Sequence, residues 1–250
     1  MPKTRHAPVR PASTAQLLTS GSRIDWHRHE ADQVVMPLSG VVAFMTDAGT
    51  WMVPAPGRAA WIPADTPHAH LAHRRTELRS VQLSPGRGPR FASPTILAVD
   101  PLFRALVVTL ADDAPADRAE HGRLMAVLRD RVVRREQRPL HLPEPRDDRL
   151  AALARLLAAD PGDRRGLDAL GPLVGASGRT LSRLCRDELG LTFPFWRTQI
   201  RLGHALVLLA EGSSVTRAAH ACGWSSASAF IAVFRDFFGT TPSAYQRGLT

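Results

Sequence analysis

Apolar and polar positions follow two different rhythms along the chain, and the change falls near residue 90. Before it, short apolar stretches alternate with turn residues: Gln33-Val-Val-Met-Pro-Leu-Ser, Gly40-Val-Val-Ala-Phe-Met-Thr, Thr50-Trp-Met-Val, Ala60-Trp-Ile-Pro and Glu77-Leu-Arg-Ser-Val-Gln-Leu. Runs this short, bounded by Gly, Pro and Asp, read as strands. Asp47-Ala-Gly between two of them reads as a hairpin turn. Many short strands at this spacing predict a small β-barrel or sandwich.

After residue 90 the spacing turns helical. Pro101 to Leu110 and Glu120 to Arg135 carry apolar residues at helical intervals, the second as Leu124, Val127, Leu128 and Val132. That stripe suits either a seam between two copies of the chain or packing onto the barrel. Pro139 to Pro145 reads as a proline-punctuated linker, and a helix from about Asp147 to Ala159 stops at Asp160-Pro-Gly. The expected division is therefore a β-rich region at 1–90, a helical linking or dimerisation region at 91–146, and an all-α region at 147–250. The fold class is α+β.

The last region contains an internal duplication. Leu167 to Gly190 repeats in Val215 to Gly239, with Gly175 matching Gly223, Arg186-Asp187 matching Arg235-Asp236, and Gly190 matching Gly239. Each copy reads as a short helix, a tight turn and a second helix. A turn glycine gives the backbone access to positive φ, so two helices cross closely; the later glycine suits a left-handed helix cap. Leu181, Leu184 and Cys185 form an inward stripe in the first copy, as do Phe230, Val233, Phe234 and Phe237 in the second. What remains on the outer face of the first copy, Arg179, Ser182, Arg183 and Arg186, is what a DNA major groove would meet. Pro194 to Ala210 reads as a single helix between the copies, and about 17 residues at ~1.5 Å rise give a strut of about 25 Å. Such a strut holds two recognition helices near one DNA turn apart.

Charge agrees without deciding. The formal net charge is +9, and Lys3 is the only lysine among 32 basic residues. An excess of this size points to a polyanion, nucleic acid first. Apolar residues make up 44% and charged residues 22%, which is ordinary for a globular protein. No apolar run approaches the ~20 residues that span a bilayer. Met1-Pro-Lys-Thr-Arg-His is not followed by an apolar signal core, so a cytoplasmic protein is expected. Cys185 and Cys222 fall in helical patterns and read as buried small apolar residues.

Ala218-Ala-His-Ala-Cys-Gly-Trp-Ser-Ser-Ala-Ser-Ala-Phe, together with Phe234-Arg-Asp-Phe-Phe-Gly-Thr-Thr-Pro-Ser-Ala-Tyr, resembles the signature of the AraC family of transcriptional regulators. The resemblance covers about Asp147 to Arg247. It implies two helix-turn-helix units acting on double-stranded promoter DNA. By position in the motif, Arg179, Ser182 and Arg183 match base-facing sites of the first recognition helix. Ala227, Ser228, Ile231 and Ala232 match those of the second, where better-known members often present a long polar or Arg side chain. Arg186 and Arg235 fit phosphate contacts or solvated charges.

The first half holds a fainter constellation. Gly21 is followed after five residues by His27, then His29, Gln33 and Gly40; later Gly57 is followed by Pro63, Asp65 and His68. These spacings resemble the two motifs of the cupin barrel, whose pattern would have Glu at Gln33, Gly at Asp65 and Asn at Ala72. Trp51 and Trp61 further resemble the AraC-type subgroup with a cupin half. Two histidines at i and i+2 share one face of a strand, so His27 and His29 converge; His68 on a facing strand would complete a three-histidine site for a divalent transition metal, with Gln33 a weak oxygen ligand. The alternative is a metal-free sensory pocket in which the histidines hydrogen-bond an effector. His70 and His73 read as surface or rim residues.

The function expected is a sequence-specific regulator, an activator, whose cupin half senses a small molecule or metal. Its partners would be promoter DNA, the effector, RNA polymerase and a second copy of the chain, with no membrane. The competing class is a cupin-type metalloenzyme with an accessory helical domain, opposed by the duplication and by Gln33 where a metal carboxylate would stand. A binder without sequence preference is a third class, marked by steep salt dependence and no preferred site.

Overall fold

The strands of the first half are β1 (Ser13–Leu18), β2 (Arg23–His27), β3 (Asp32–Pro37), β4 (Val41–Thr46), β5 (Gly49–Pro54), β6 (Arg58–Ile62), β7 (His68–Ala72), β8 (Thr76–Leu83) and β9 (Thr95–Ala98). The computed structural model describes residues 13–83, 91–112, 117–132 and 140–248. One sheet runs β1-β8-β3-β6-β9, and a second contains β5-β4-β7-β2 in that order. The pairs β1/β8, β3/β8, β3/β6, β6/β9, β2/β7 and β4/β7 are antiparallel. This is the β-rich sandwich that the short apolar runs predict.

Burial explains why those runs do not alternate cleanly. All five residues of β6 are buried. Ala60 and Ile62 join Val35, Val42, Phe44, Trp51 and Leu78 in one core cluster, while Ala59 and Trp61 face another with Val34, Phe103, Leu106 and Leu128. A strand covered on both faces reads as continuous apolar sequence. The second cover is helical: α1 (Pro101–Asp112) and α2 (Arg118–Val132) lay Phe103, Leu106, Val107 and Leu110, with Met125, Leu128 and Val132, onto that face. Each such side chain contributes roughly 1.5–3 kcal/mol on burial. The Asp100 carboxylate accepts the Phe103 N–H at 2.6 Å and pairs with Arg131, tying the start of α1 to the last turn of α2.

The predicted stripe on α2 is therefore divided. Leu128 and Val132 are core, Leu124 is partly packed against it, and Val127 stays 41% exposed. Two other expectations shift. Helical character does not begin at residue 90, because β9 follows it, and Leu140–Pro143 forms a strand, β10, inside the expected linker. Both are four-residue segments beside prolines, too short to carry a period. Val133, Arg134 and Arg135 of the second expected helix lie outside the described residues.

The chain clusters into two units that divide between Pro139 and Leu140. The second is helical: α3 (Asp148–Ala159), α4 (Leu167–Leu170) continued by a 3-10 turn (Gly171–Val174), α5 (Gly178–Leu189), α6 (Phe193–Ala210), α7 (Val215–Ala221), α8 (Ala227–Phe238) and α9 (Pro242–Arg247). Leu150, Leu153 and Leu157 of α3 pack with Leu181, Cys185 and Leu189 of α5 and Phe193, Trp196 and Ile200 of α6. The duplicated glycines take the predicted roles. Gly175 and Gly223 turn with φ of 68° and 80°, and Gly190 and Gly239 end α5 and α8 in left-handed caps.

Candidate nucleic-acid interface and histidine cavity

Helix α5 starts where the Ser177 hydroxyl accepts the Thr180 N–H at 3.1 Å, the side-chain cap that satisfies an otherwise orphaned helix donor. Its apolar positions point into the core, so the remaining face is fixed. Arg179, Arg183 and Arg186 are exposed and Ser182 is half-buried beside them. Positions i, i+4 and i+7 lie on one helix face, so three guanidiniums form a single cationic ridge. Guanidinium forks suit guanine edges and phosphates alike.

Helix α8 has the same frame and a different surface. Ser226 caps it by accepting the Ala229 N–H at 3.2 Å. Its inner face is aromatic: Trp224 and Phe230 rings lie 4.8 Å apart, Phe230 and Phe234 5.5 Å, and Phe234 and Tyr245 5.9 Å. Outward stand Ser228, Ala232 and Arg235, exposed, with Ala227 and Ile231 half-buried. Only Arg235 has length. Short side chains there reach thymine methyls and little else in a major groove.

The strut α6 spans 18 residues, with Pro194 in its first turn. At ~1.5 Å per residue it is about 27 Å long. Arginines on it staple the unit together instead of facing outward. Arg201 donates to the Pro161 and Asp163 carbonyls at 3.1 and 2.7 Å, and its guanidinium lies 6.0 Å from the Trp224 ring centre. Arg197 donates to the Arg165 carbonyl at 2.8 Å, and Arg164 to the Trp224 carbonyl at 3.1 Å. The loop after α3 is thus bonded to the strut and to the second turn.

In the first unit, the two sheets flank a cavity of about 290 Å³ lined by Thr14, Gln16, Ile24, His27, His29, Gln33, His70 and Ser80. His27 closes β2 and stands opposite His68 in the antiparallel register, after a bulge beyond Ile24. His68 and His70 are i and i+2 on β7 and share one face. His29 lies past the end of β2, its backbone carbonyl accepting the Asp65 N–H at 2.7 Å. All four rings are buried. His27 and His68 ring centres are 4.2 Å apart, His68 and His70 5.1 Å, and His27 and His29 4.9 Å.

Hydrogen bonds fix which nitrogens carry protons. His27 Nδ1 lies 2.7 Å from the Asp25 carbonyl and His68 Nδ1 2.8 Å from the Thr66 carbonyl. A carbonyl only accepts, so both Nδ1 atoms donate, and in the neutral ring the lone pair then lies on Nε2. Burial pushes the His68 pKa down to about 3, so this ring stays neutral. His29 is the reverse: the Gln82 side-chain amide nitrogen lies 2.7 Å from its Nδ1, which must accept, leaving the proton on Nε2. Within this cluster, ligand atoms of His27, His68 and His70 come within 4.8 Å of one another. Gln33, from the opposite sheet, lines the same cavity, and its buried Oε1 has no hydrogen-bond partner among the described residues.

A helix-turn-helix domain family matches residues 172–248. The HTH-type transcriptional regulator NimR of Escherichia coli K12 is 33% identical over 226 residues, covering 90% of this chain and 82% of that protein. The chain belongs to the AraC-type transcriptional regulators. The HTH-type regulator RipA of Corynebacterium glutamicum is 35% identical over 107 residues, 43% of this chain and 32% of that one. A crystal structure of an AraC-type regulator from Chromobacterium violaceum is 28% identical with a TM-score of 0.39, covering 41% of this chain and 92% of that one.

For this AraC-type regulator the motif-derived positions Arg179, Arg183, Arg186, Ser228, Ala232 and Arg235 are all exposed. Sequence reasoning missed Arg164, Arg197 and Arg201 as internal staples; all are arginines in an arginine-rich chain, and only their carbonyl partners mark them. In the cavity three corrections are needed. His70, expected at the surface or rim, is buried at 2% exposure, because β7 faces inward along its length. The i, i+2 histidine pair on a strand is His68 and His70; the strand ends before His29. His68 is also not on a facing strand but on the immediate neighbour of β2. Asp65, where the cupin pattern has Gly, holds a φ of 57°, the left-handed conformation that Asp tolerates better than most residues.

Proposed function

We propose that this regulator reads a specific promoter site through α5, anchors beside it through α8, and couples that binding to a small molecule or metal ion held in the barrel cavity. The cationic ridge of Arg179, Arg183 and Arg186 on an otherwise well-capped recognition helix is the observation that carries the reading. Arg179 and Arg183 offer guanine contacts, Arg186 and Arg235 phosphate contacts, and the short residues of α8 limit base discrimination there. The same chemistry favours specific over purely electrostatic binding, since a phosphate binder needs charge but no ordered, directional ridge.

The cavity is small and lined by imidazoles, hydroxyls and amides beside the apolar Ile24, which suits a small effector that makes hydrogen bonds. A second copy of the chain is the expected partner, with Val127 of α2 the exposed member of its apolar stripe; RNA polymerase is the expected downstream partner in the cytoplasm. Among the described residues no helix is long and apolar enough to cross a membrane.

Footprinting on the DNA upstream of its own and neighbouring genes tests the proposal. A protected site of one to two helical turns, surviving physiological salt with non-specific competitor present, is expected. Uniform, salt-sensitive coverage with no preferred site would overturn it.

A further inference from the structure

We propose that a divalent transition-metal ion is held by His27, His68 and His70, and that His29 serves it as a hydrogen-bond donor to whatever occupies the ion's open position. This deepens the sensory reading above and rests on it. The set differs from the spacing-derived one of His27, His29 and His68 with Gln33 as a weak oxygen ligand.

Three observations select these residues. Their ligand atoms lie within 4.8 Å of one another and all three rings are buried, so few water molecules compete. His27 and His68 donate Nδ1–H to the Asp25 and Thr66 carbonyls, the second layer of bonds that orients imidazoles and leaves Nε2 basic. His68 Nε2 has no hydrogen-bond partner among the described residues, which is costly for a buried polar atom unless something binds it. Three imidazoles, with no thiolate or carboxylate in the cavity lining, suit zinc, nickel or iron(II) and leave at least one coordination position open.

His29 is excluded as a ligand by its proton. Gln82 donates to its Nδ1, so the nitrogen facing away from Gln82 carries hydrogen and has no lone pair to give a cation. An N–H in that place instead recognises an oxygen: a water, or a carboxylate or carbonyl group of the effector. Gln33 Oε1, lining the same cavity, accepts from an N–H or O–H on that molecule. The effector class is thus a small polar molecule bearing an oxygen ligand and a hydrogen-bond donor.

The test uses the full chain, stripped with chelator and titrated with Zn2+ or Ni2+ by calorimetry, with metal counted by mass spectrometry. One ion per chain is expected. His70→Ala should weaken uptake by well over ~100-fold, and His29→Ala by roughly 10-fold, the low end of losses from supporting residues. X-ray absorption on zinc-loaded wild type, which needs no variant to fold, should count three imidazole nitrogens and one oxygen. No uptake by wild type, four imidazoles, or a His29→Ala variant that loses the ion while His70→Ala keeps it would overturn the assignment. DNA binding by the same samples separates the outcomes: its retention without metal uptake ends this inference alone, whereas a wild type that binds DNA neither stripped nor metal-loaded ends the reading of the helical unit.

Discussion

The guanidinium of Arg201 fills the space where a side chain on Gly223 would begin, its Nη2 lying 2.6 Å from an ideal Cβ there and the Gly162 carbonyl oxygen 2.9 Å away. Gly223 also turns with a φ of 80°. Its counterpart Gly175 turns with nearly the same φ, 68°, but nothing lies within 4 Å of its Cβ position. The two repeats thus share a backbone and differ in packing. Gly175→Ala should cost about 1–2 kcal/mol, the left-handed penalty alone. Gly223→Ala should cost roughly 2–4 kcal/mol, because a clash is added. Thermal unfolding of the two variants checks this, and equal losses would mean Arg201 moves aside freely.

The first turn of α3 should make stability depend on acid. Asp147 caps that helix by accepting the Arg149 N–H at 2.9 Å and pairs with the Arg149 side chain at 2.7 Å, which pulls its pKa down to about 2. A depressed carboxylate pKa stabilises the fold fully above the ordinary range near 4, and that contribution fades as pH falls towards 2. Asp147→Asn keeps a cap but has no proton to gain. Urea midpoints measured at pH 5 and pH 2.5 should therefore differ less for the variant than for wild type. An unchanged difference would remove Asp147 from the acid response.

Helix α2 separates packing from association. Leu128 is fully buried, and Leu128→Ala should cost about 2–5 kcal/mol. Val127 is 41% exposed, and Val127→Asp should leave stability within about 0.5 kcal/mol. If two copies meet there, light scattering at micromolar concentration should show the Val127→Asp protein dissociating. A wild-type monomer at that concentration would contradict the seam.

The helical half was legible because its constraints leave marks on residue types. Gly175, Gly190, Gly223 and Gly239 all occupy left-handed backbone, where Gly is strongly favoured, so their spacing exposes the duplication before any coordinates. The sandwich was legible as strands but not as a site. His27, His29 and Gln33 do line one cavity, and His68 stands beside His27 because β2 pairs with β7. His70 was missed although His68-Ala-His70 carries the same i, i+2 signal as His27-Arg-His29. Which pair lies within a strand depends on where β2 ends, and that depends on the bulge after Ile24 and the Asp65 contact to His29. Both are long-range consequences of the fold. The tautomer of His29 likewise comes from Gln82, far along the chain on β8.

Arg183 should matter for choice of site more than for grip. A lost bidentate guanine contact costs about 1–3 kcal/mol on the cognate site, whereas a phosphate contact weakens all DNA alike. Titration of Arg183→Ala against the footprinted site and against random duplex should show the larger loss on the former. Equal losses would make Arg183 a phosphate contact.

The most direct measurement is a binding-site scan, in which every base pair of the footprinted site is substituted in turn and the affinity measured at fixed salt. Positions under α5 should cost about 1–3 kcal/mol each, and positions under α8, faced by Ser228 and Ala232, distinctly less. Equal penalties in both halves, or none in either, would contradict the division of reading and anchoring between the two helices.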